Sequence, residues 1–139
     1  MKVEIFNTVP PSAASIRQEV FVKEQGFEDE FDATDSVAVH FVLFDGAMPI
    51  ATCRVFEHTE KNVYVLGRLA VVKERRGCGT GSLLLKKAEE YAASVGGKEI
   101  RLHAQCRAAS FYEKSGFLPF GEIEDEQGCP HVWMKKTLY

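Results

Sequence analysis

The sequence predicts an α/β fold: a mixed, mostly antiparallel, twisted sheet flanked by helices. Three observations carry this prediction. Short apolar runs, spaced as in hairpins, fill residues 37–72. A glycine-rich turn then leads into an amphipathic helix over 80–95. A further alternating run, 99–104, follows that helix. A strand–helix–strand unit of this kind implies a right-handed parallel crossover, whereas the preceding hairpins imply antiparallel neighbours.

In chain order, 2–7 reads as a short strand. Pro10-Pro11-Ser12 opens a helix, with Ser12 available as its cap. That helix runs to about residue 24, buries Ile16 and Val20, and breaks at Gly26. Residues 27–35 are acidic, with Glu28, Asp29, Glu30, Asp32 and Asp35. They form either a solvated loop or a rim that attracts a cationic amine. Strands follow at 37–44, 50–57 and 64–72, the first pair joined by the hairpin dipeptide Asp45-Gly46. Leu84, Ala88, Tyr91, Ala92 and Val95 give the helix over 80–95 one buried stripe, and Gly96-Gly97 ends it. Ile100, Leu102 and Ala104 share one face of the next strand. A short helix over 108–115 stops at Gly116, and strands at 117–120 and 131–137 close the sheet as antiparallel partners.

At 139 residues the chain reads as one domain able to bury a real core. A net charge of −3 argues against nucleic acid as the main partner. No apolar run approaches the ~20 residues of a membrane span. The N-terminus is too short and too charged for a signal peptide, so a cytoplasmic location is expected. Cys53, Cys78, Cys106 and Cys129 have neither zinc nor redox spacing and read as free thiols. No cluster has metal-ligand spacing, and no metal is expected.

The chemistry is concentrated in Arg75-Arg76-Gly77-Cys78-Gly79-Thr80-Gly81-Ser82, between a strand and a helix. Glycines let the backbone curl so that several N–H groups converge, and the helix start adds unpaired donors and the positive end of its dipole. Such a turn receives phosphate. A Cβ on these glycines would occupy the phosphate's approach. Alternating glycines mid-chain do not fit a dinucleotide fingerprint, and Ser82-Leu83 after Gly81 does not fit a P-loop.

The turn instead resembles the pyrophosphate loop of the GNAT superfamily of acyl-CoA-dependent N-acyltransferases, [QR]-x-x-G-x-[GA], through Arg76, Gly79 and Gly81. Ala109-Ser110-Phe111-Tyr112-Glu113-Lys114-Ser115-Gly116-Phe117 is similar to the family's second signature, A-x-x-[FL]-Y-x-x-x-G-F. The Val20-Phe21-Val22-Lys23-Glu24-Gln25, Leu102-His103-Ala104-Gln105 and Cys129-Pro130-His131-Val132-Trp133-Met134 segments are similar to a small bacterial, ElaA-like subgroup. The resemblance implies central strands that splay apart, with the pantetheine arm of acetyl-CoA entering the gap. It implies main-chain donors from Arg76 to Ser82 on the pyrophosphate, through Gly77, Cys78, Gly79, Thr80 and Gly81, aided by the Arg76 guanidinium. Backbone groups of Leu69, Ala70 and Val71 would hold the arm, and one of their N–H groups would polarise the thioester. Tyr112 would meet the departing thiolate. Where the family commonly carries an asparagine, six residues ahead of this tyrosine, the chain has Cys106; Gln105 beside it is the alternative contact.

The implied reaction is transfer of an acetyl group from acetyl-CoA to a primary amine, on a small molecule or a peptide, by direct attack in a ternary complex. The amine must lose a proton, so a base is useful. Candidates are His40, Glu57, His103 and His131, with His131 foremost because it precedes the final strand. Arg54 and Arg68 lie within strands, where a cation needs a partner: either Glu19 or a carboxylate on the substrate. The rival class is a non-catalytic acyl-CoA-binding sensor or interaction module. Exposed strand edges leave a homodimer open.

Overall fold

A computed structural model describes residues 1–28 and 31–138. Among these residues seven strands form one sheet: β1 (Lys2–Phe6), β2 (Val39–Asp45), β3 (Met48–Glu57), β4 (Val63–Val71), β5 (Glu99–Gln105), β6 (Leu118–Glu126) and β7 (Cys129–Thr137). Their spatial order is β1-β2-β3-β4-β5-β7-β6. Every neighbouring pair is antiparallel except β4 and β5. That exception follows from the intervening helix, α2 (Thr80–Ser94), which carries the chain back so that β5 runs in the direction of β4.

The first helix, α1 (Pro11–Arg17), starts with proline at its first position, where fixed φ and a missing N–H do no harm. Ser12 does not cap it; Pro10 holds the cap position, without a side-chain bond. The helix continues as a π-helical segment, Gln18–Glu24, with Gln25 N–H bonding five residues back to Val20 at 3.1 Å. Gly26, at φ +80°, ends it. The β2–β3 hairpin turns on Gly46 and Ala47, one residue later than predicted, because Asp45 already pairs with Met48. β6 extends well beyond residue 120. Almost all of it is exposed on both faces, so it shows no apolar alternation to read.

The apolar core lies between the sheet and α2. Leu84, Leu85 and Ala88 pack on Phe41, Leu43, Ile100, Leu102 and Met134, with Phe117 from the turn that follows α3 (Ala109–Lys114). Val95, expected in this stripe, is 46% exposed; Leu85 takes its place. The other face is covered by Ile16, Val20 and Phe21 on Ala70, and beside them by buried polar groups, Arg17, His40, Thr52 and Arg54. Successive strand residues point to opposite faces. Hence Ile100, Leu102, Ala104, Val132 and Met134 face α2, while His103, His131 and Trp133 lie on the α1 face.

Two irregularities open the sheet. Between Thr52 and Arg54 the partner on β4 jumps from Ala70 to Gly67, so Arg68 and Leu69 together oppose Cys53. Arg68 takes φ +54°, a left-handed conformation costly for any side chain. Past this bulge β4 and β5 part company. They pair only from Val63–Glu99 to Leu66–Leu102. Beyond, β4 stays with β3 as far as Val71, and β5 stays with β7 as far as Gln105. The result is a wedge-shaped gap through the sheet, the divergence expected above.

Candidate active site

One end of the gap meets the glycine turn. Gly77 (φ +80°) and Gly79 (φ +83°) adopt left-handed backbone, and α2 starts at Thr80 with no side-chain cap. The Arg76 N–H, expected among the donors, is instead taken by the Lys73 carbonyl at 3.4 Å, where a short 3₁₀ turn ends. Among the described residues the N–H groups of residues 77–82 make no hydrogen bond; the next that does is Leu83, to the Gly79 carbonyl. A cluster of bare donors at a helix start is a site for anionic oxygen. A Cβ on Gly77 or Gly79 would meet no protein atom within 4 Å, so glycine is needed there for its dihedral angle. Gly81 differs: its Cβ would lie 3.2 Å from the Phe111 ring. Both arginines of the turn are engaged. Arg75 donates to Asp45 at 2.6 Å. Arg76 donates through Nε to the Val71 carbonyl at 2.9 Å and through both terminal nitrogens to Glu24, at 2.6 and 2.8 Å. The Arg76 guanidinium holds the Glu24 carboxyl below its ordinary value. This pair is more than one-third exposed, so it contributes ~1 kcal/mol or less and yields readily to a stronger anion.

The β4 edge is the gap's first wall. Val72 N–H bonds to the Ile50 carbonyl at 3.0 Å, toward β3. Alternation then turns Ala70 toward β3 as well, and directs the peptide groups of Leu69 and Val71 into the gap. The Val71 carbonyl is already held by Arg76. The Ala70 side chain is covered by the α1 segment.

A cleft of about 560 Å³ occupies the rest of the gap and opens on the α1 face; Phe21, Gln25, Arg68, Leu69, Gln105 and Tyr112 are among its lining residues. Tyr112 approaches from α3, wedged edge-on between Phe111 and Phe117 at ring separations of 5.0 and 6.0 Å. Burial pushes its phenol well above its ordinary value, with the Cys53 sulfur adding to the shift. His131 lies on the opposite face, 6% exposed. Its Nδ1 is 2.8 Å from the Cys129 carbonyl. A carbonyl only accepts, so Nδ1 carries the proton and Nε2 of the neutral ring carries the lone pair. His103 stacks on Trp133 (4.7 Å, 16°) and lies 5.0 Å from the His131 ring. The other base candidates are elsewhere. His40 is buried and bonded to the Asp35 carbonyl, and Glu57 sits at the far end of β3 beside Tyr64.

Arg54 and Arg68 are not partnered by Glu19, which pairs with Lys23 on its own helix. Arg54 donates to Asp32 at 2.7 Å and to Asp35 at 2.9 Å; Arg17 grips Asp35 at 2.8 and 3.1 Å; Arg68 reaches Asp32 at 3.2 Å. Desolvation raises the Asp35 carboxyl, but the bonds from Arg17 and Arg54 outweigh it and hold the group at about 2. Thus two carboxylates of the expected acidic rim turn inward onto arginines. Asp29 and Glu30 lie outside the described residues. The Gln105 amide is also engaged: it donates to Gln25 at 2.8 Å and accepts from Arg107 at 2.6 Å. The Gln25–Gln105 bond bridges the mouth of the gap. A second bridge runs from the Glu28 N–H to Gln127 at 3.0 Å.

Sequence reasoning passed over Glu126 and Gln127, both at the cleft, because they sit in a polar hairpin. It met Gln25 only inside the segment 20–25 of the resemblance and gave it no role. All four cysteines are unpaired thiols, and Cys53 is fully buried, which pushes its thiol up. Among the described residues no helix is long and apolar enough to cross a membrane.

Comparison with known proteins gives concordant matches. Residues 10–138 match the family described as Acetyltransferase (GNAT) domain. The uncharacterised N-acetyltransferase YjcF of Bacillus subtilis is 37% identical over 125 residues, covering 87% of each chain. A crystal structure from Lactobacillus plantarum, provisionally described as an N-acetyltransferase, is 34% identical and superimposes with a TM-score of 0.88 over 100% of both chains. Escherichia coli ElaA is 25% identical, with a TM-score of 0.86 over 97% of this chain and 98% of its own.

Proposed function

The chain belongs to the GNAT acetyltransferase family and is of the acyl-CoA-dependent N-acetyltransferase type; from that premise we propose that it transfers an acetyl group from acetyl-CoA to a primary amine by direct attack in a ternary complex. The observation that carries this reading is the gap between β4 and β5, which has bare N–H donors at one end and Tyr112 and His131 on its two faces.

In this reading the N–H groups of residues 77–82 receive the pyrophosphate, and Arg76 exchanges Glu24 for phosphate oxygen. The pantetheine amides add to the free edge at Leu69 and Val71, as an extended peptide adds to a sheet. Ala70 contributes by holding that edge against β3. A main-chain N–H at the bulge polarises the thioester carbonyl, a contribution of roughly 3 kcal/mol for such a donor.

The amine attacks from the α1 face. A lysine-like amine is neutral in only about one molecule in a few thousand at pH 7. Nε2 of His131 takes its proton. The C–N bond forms, the C–S bond breaks, and the thiolate departs toward Tyr112. Burial makes Tyr112 a weak acid, so it stabilises the thiolate by donating a hydrogen bond, and solvent supplies the proton. Arg68, on the β4 side of the cleft, and Gln105 face the body of the acceptor. Arg54 lies behind them, fixed by its two aspartates, and orders that wall.

The test has two parts. Calorimetry with acetyl-CoA reads cofactor binding, and thiol release with a panel of primary amines reads transfer. Binding together with amine-dependent release is expected. Binding without release from any amine would instead mark a sensor of acyl-CoA.

A further inference from the structure

The wall opposite Tyr112 carries a carboxylate that the transfer steps above leave unused. Glu126, at the end of β6, lies between two imidazoles. Its Oε1 is 3.3 Å from Nδ1 of His103 and its Oε2 is 3.4 Å from Nε2 of His131. Neither approach is aligned as a hydrogen bond. The far nitrogen of His103, 3.2 Å from Glu124, is buried and likewise without an aligned partner. His131 is itself more than nine-tenths buried, and its Nδ1 proton is committed to the Cys129 carbonyl. In the neutral ring Nε2 is therefore an acceptor, and it and a carboxylate oxygen lie side by side at the cleft, placed to take donors from one ligand. Trp133, stacked on His103, prevents that ring from swinging aside to relieve the arrangement. A group with several N–H donors and a positive charge satisfies both acceptors at once.

We propose that Glu126 and Nε2 of His131 form the seat for the acceptor's ammonium group, and that the acceptor is a cationic primary alkylamine that docks protonated. This rests on the acetyl-transfer reading and adds to it a substrate class and a binding residue. Glu126 anchors the ammonium. Nε2 of His131 takes one of its protons, and the freed amine attacks the thioester as the C–S bond breaks. The nitrogen's second lost proton balances the one gained by the thiolate, and His131 returns its own to solvent. Weakly basic aromatic amines, which arrive uncharged, gain nothing from Glu126.

The experiment uses the CoA-bound protein and two probes of equal shape, n-butylammonium chloride and n-butanol. The expected result is a saturable shift of the His131 ring signals in NMR with n-butylammonium and none with n-butanol. Glu126→Gln, at a half-exposed position that folding should tolerate, weakens that response about tenfold, the range for one charge-assisted bond. It also raises KM for n-butylamine by a similar factor and leaves KM for acetyl-CoA unchanged. No response to n-butylammonium, an equal response to n-butanol, or normal turnover with unchanged KM in Glu126→Gln would each overturn the seat. Ammonium binding that depends on Glu126, without turnover of any amine, would uphold the seat and remove the transfer reading instead.

Discussion

Tyr112 illustrates how burial decides what a single side chain can do. Ordinary values of about 10 for a phenol and about 8.5 for a thiol already make proton transfer to the thiolate uphill by ~2 kcal/mol, and burial raises the phenol further. In the proposed reaction, a donated hydrogen bond is the contribution that survives. Tyr112→Phe is expected to lower kcat about 10- to 100-fold, equivalent to roughly 1.4–2.7 kcal/mol, with little change in KM for acetyl-CoA. Single-turnover measurements at saturating cofactor check this, and an unchanged chemical step would strip Tyr112 of its role. Asp35 makes the complementary case for stability. It is the shared partner of Arg17 and Arg54, both buried. Asp35→Asn leaves their charge poorly compensated and should cost about 3 kcal/mol in urea unfolding. The sequence flags Arg54 as a cation in a strand needing a partner. It does not reveal that partner, because Asp35 lies far along the chain and is delivered by the 3₁₀ turn Ala33–Ser36, whose Asp32–Asp35 capping box is a tertiary neighbour of β3 only after folding.

At the scale of elements, the turn ahead of α2 and the bulge in β4 do the positioning. Gly79→Ala places a side chain at φ +83°, a cost of roughly 1–2 kcal/mol in stability. Acetyl-CoA affinity should fall with it, since the N–H array depends on that dihedral; calorimetry reads the loss. Gly81→Ala leaves the dihedral alone but presses on Phe111, and so is expected to act through α3 and Tyr112. Breaking the bridge over the gap, with Gln25→Ala, should speed acetyl-CoA release in stopped-flow while leaving α1 intact. The elements most legible in the sequence are those with periodicity or punctuation: the β2–β3 hairpin, α2, and β5. Three features escaped. The π-helical segment differs from an α-helix by one residue in hydrogen-bond spacing, which no side-chain pattern reports. The β4 bulge rests on an arginine, not a glycine, at positive φ. β6 is expected only as far as Phe120; beyond it the strand is bare on both faces, so its polar second half reads as a loop.

Over the whole molecule, the same ion network links fold to pH. Asp35 has a folded value of about 2 against an ordinary 3.8, and Asp32 is also lowered, chiefly by its bond from Arg54. A depressed carboxylate contributes stability that is fully present above its unfolded value and is lost as pH falls through the folded one. The urea midpoint should therefore be flat above about pH 5 and fall between about 4 and 2. Asp35→Asn should remove much of that slope. The glycine turn is legible in the sequence, because glycine spacing reports backbone geometry directly. In the cleft the sequence singles out His131 and Gln105 but not their neighbours Glu126 and Gln25, because these are brought to them only by sheet register and helix packing. The central claim is that the wedge between β4 and β5 holds a thioester whose diphosphate rests on the N–H groups of residues 77–82. A crystal structure with bound acetyl-CoA tests it most directly. The account predicts phosphate oxygens within hydrogen-bond distance of those groups, Arg76 turned from Glu24, and the sulfur beside Tyr112; a cofactor lying elsewhere, or a wedge closed by side chains, would contradict it.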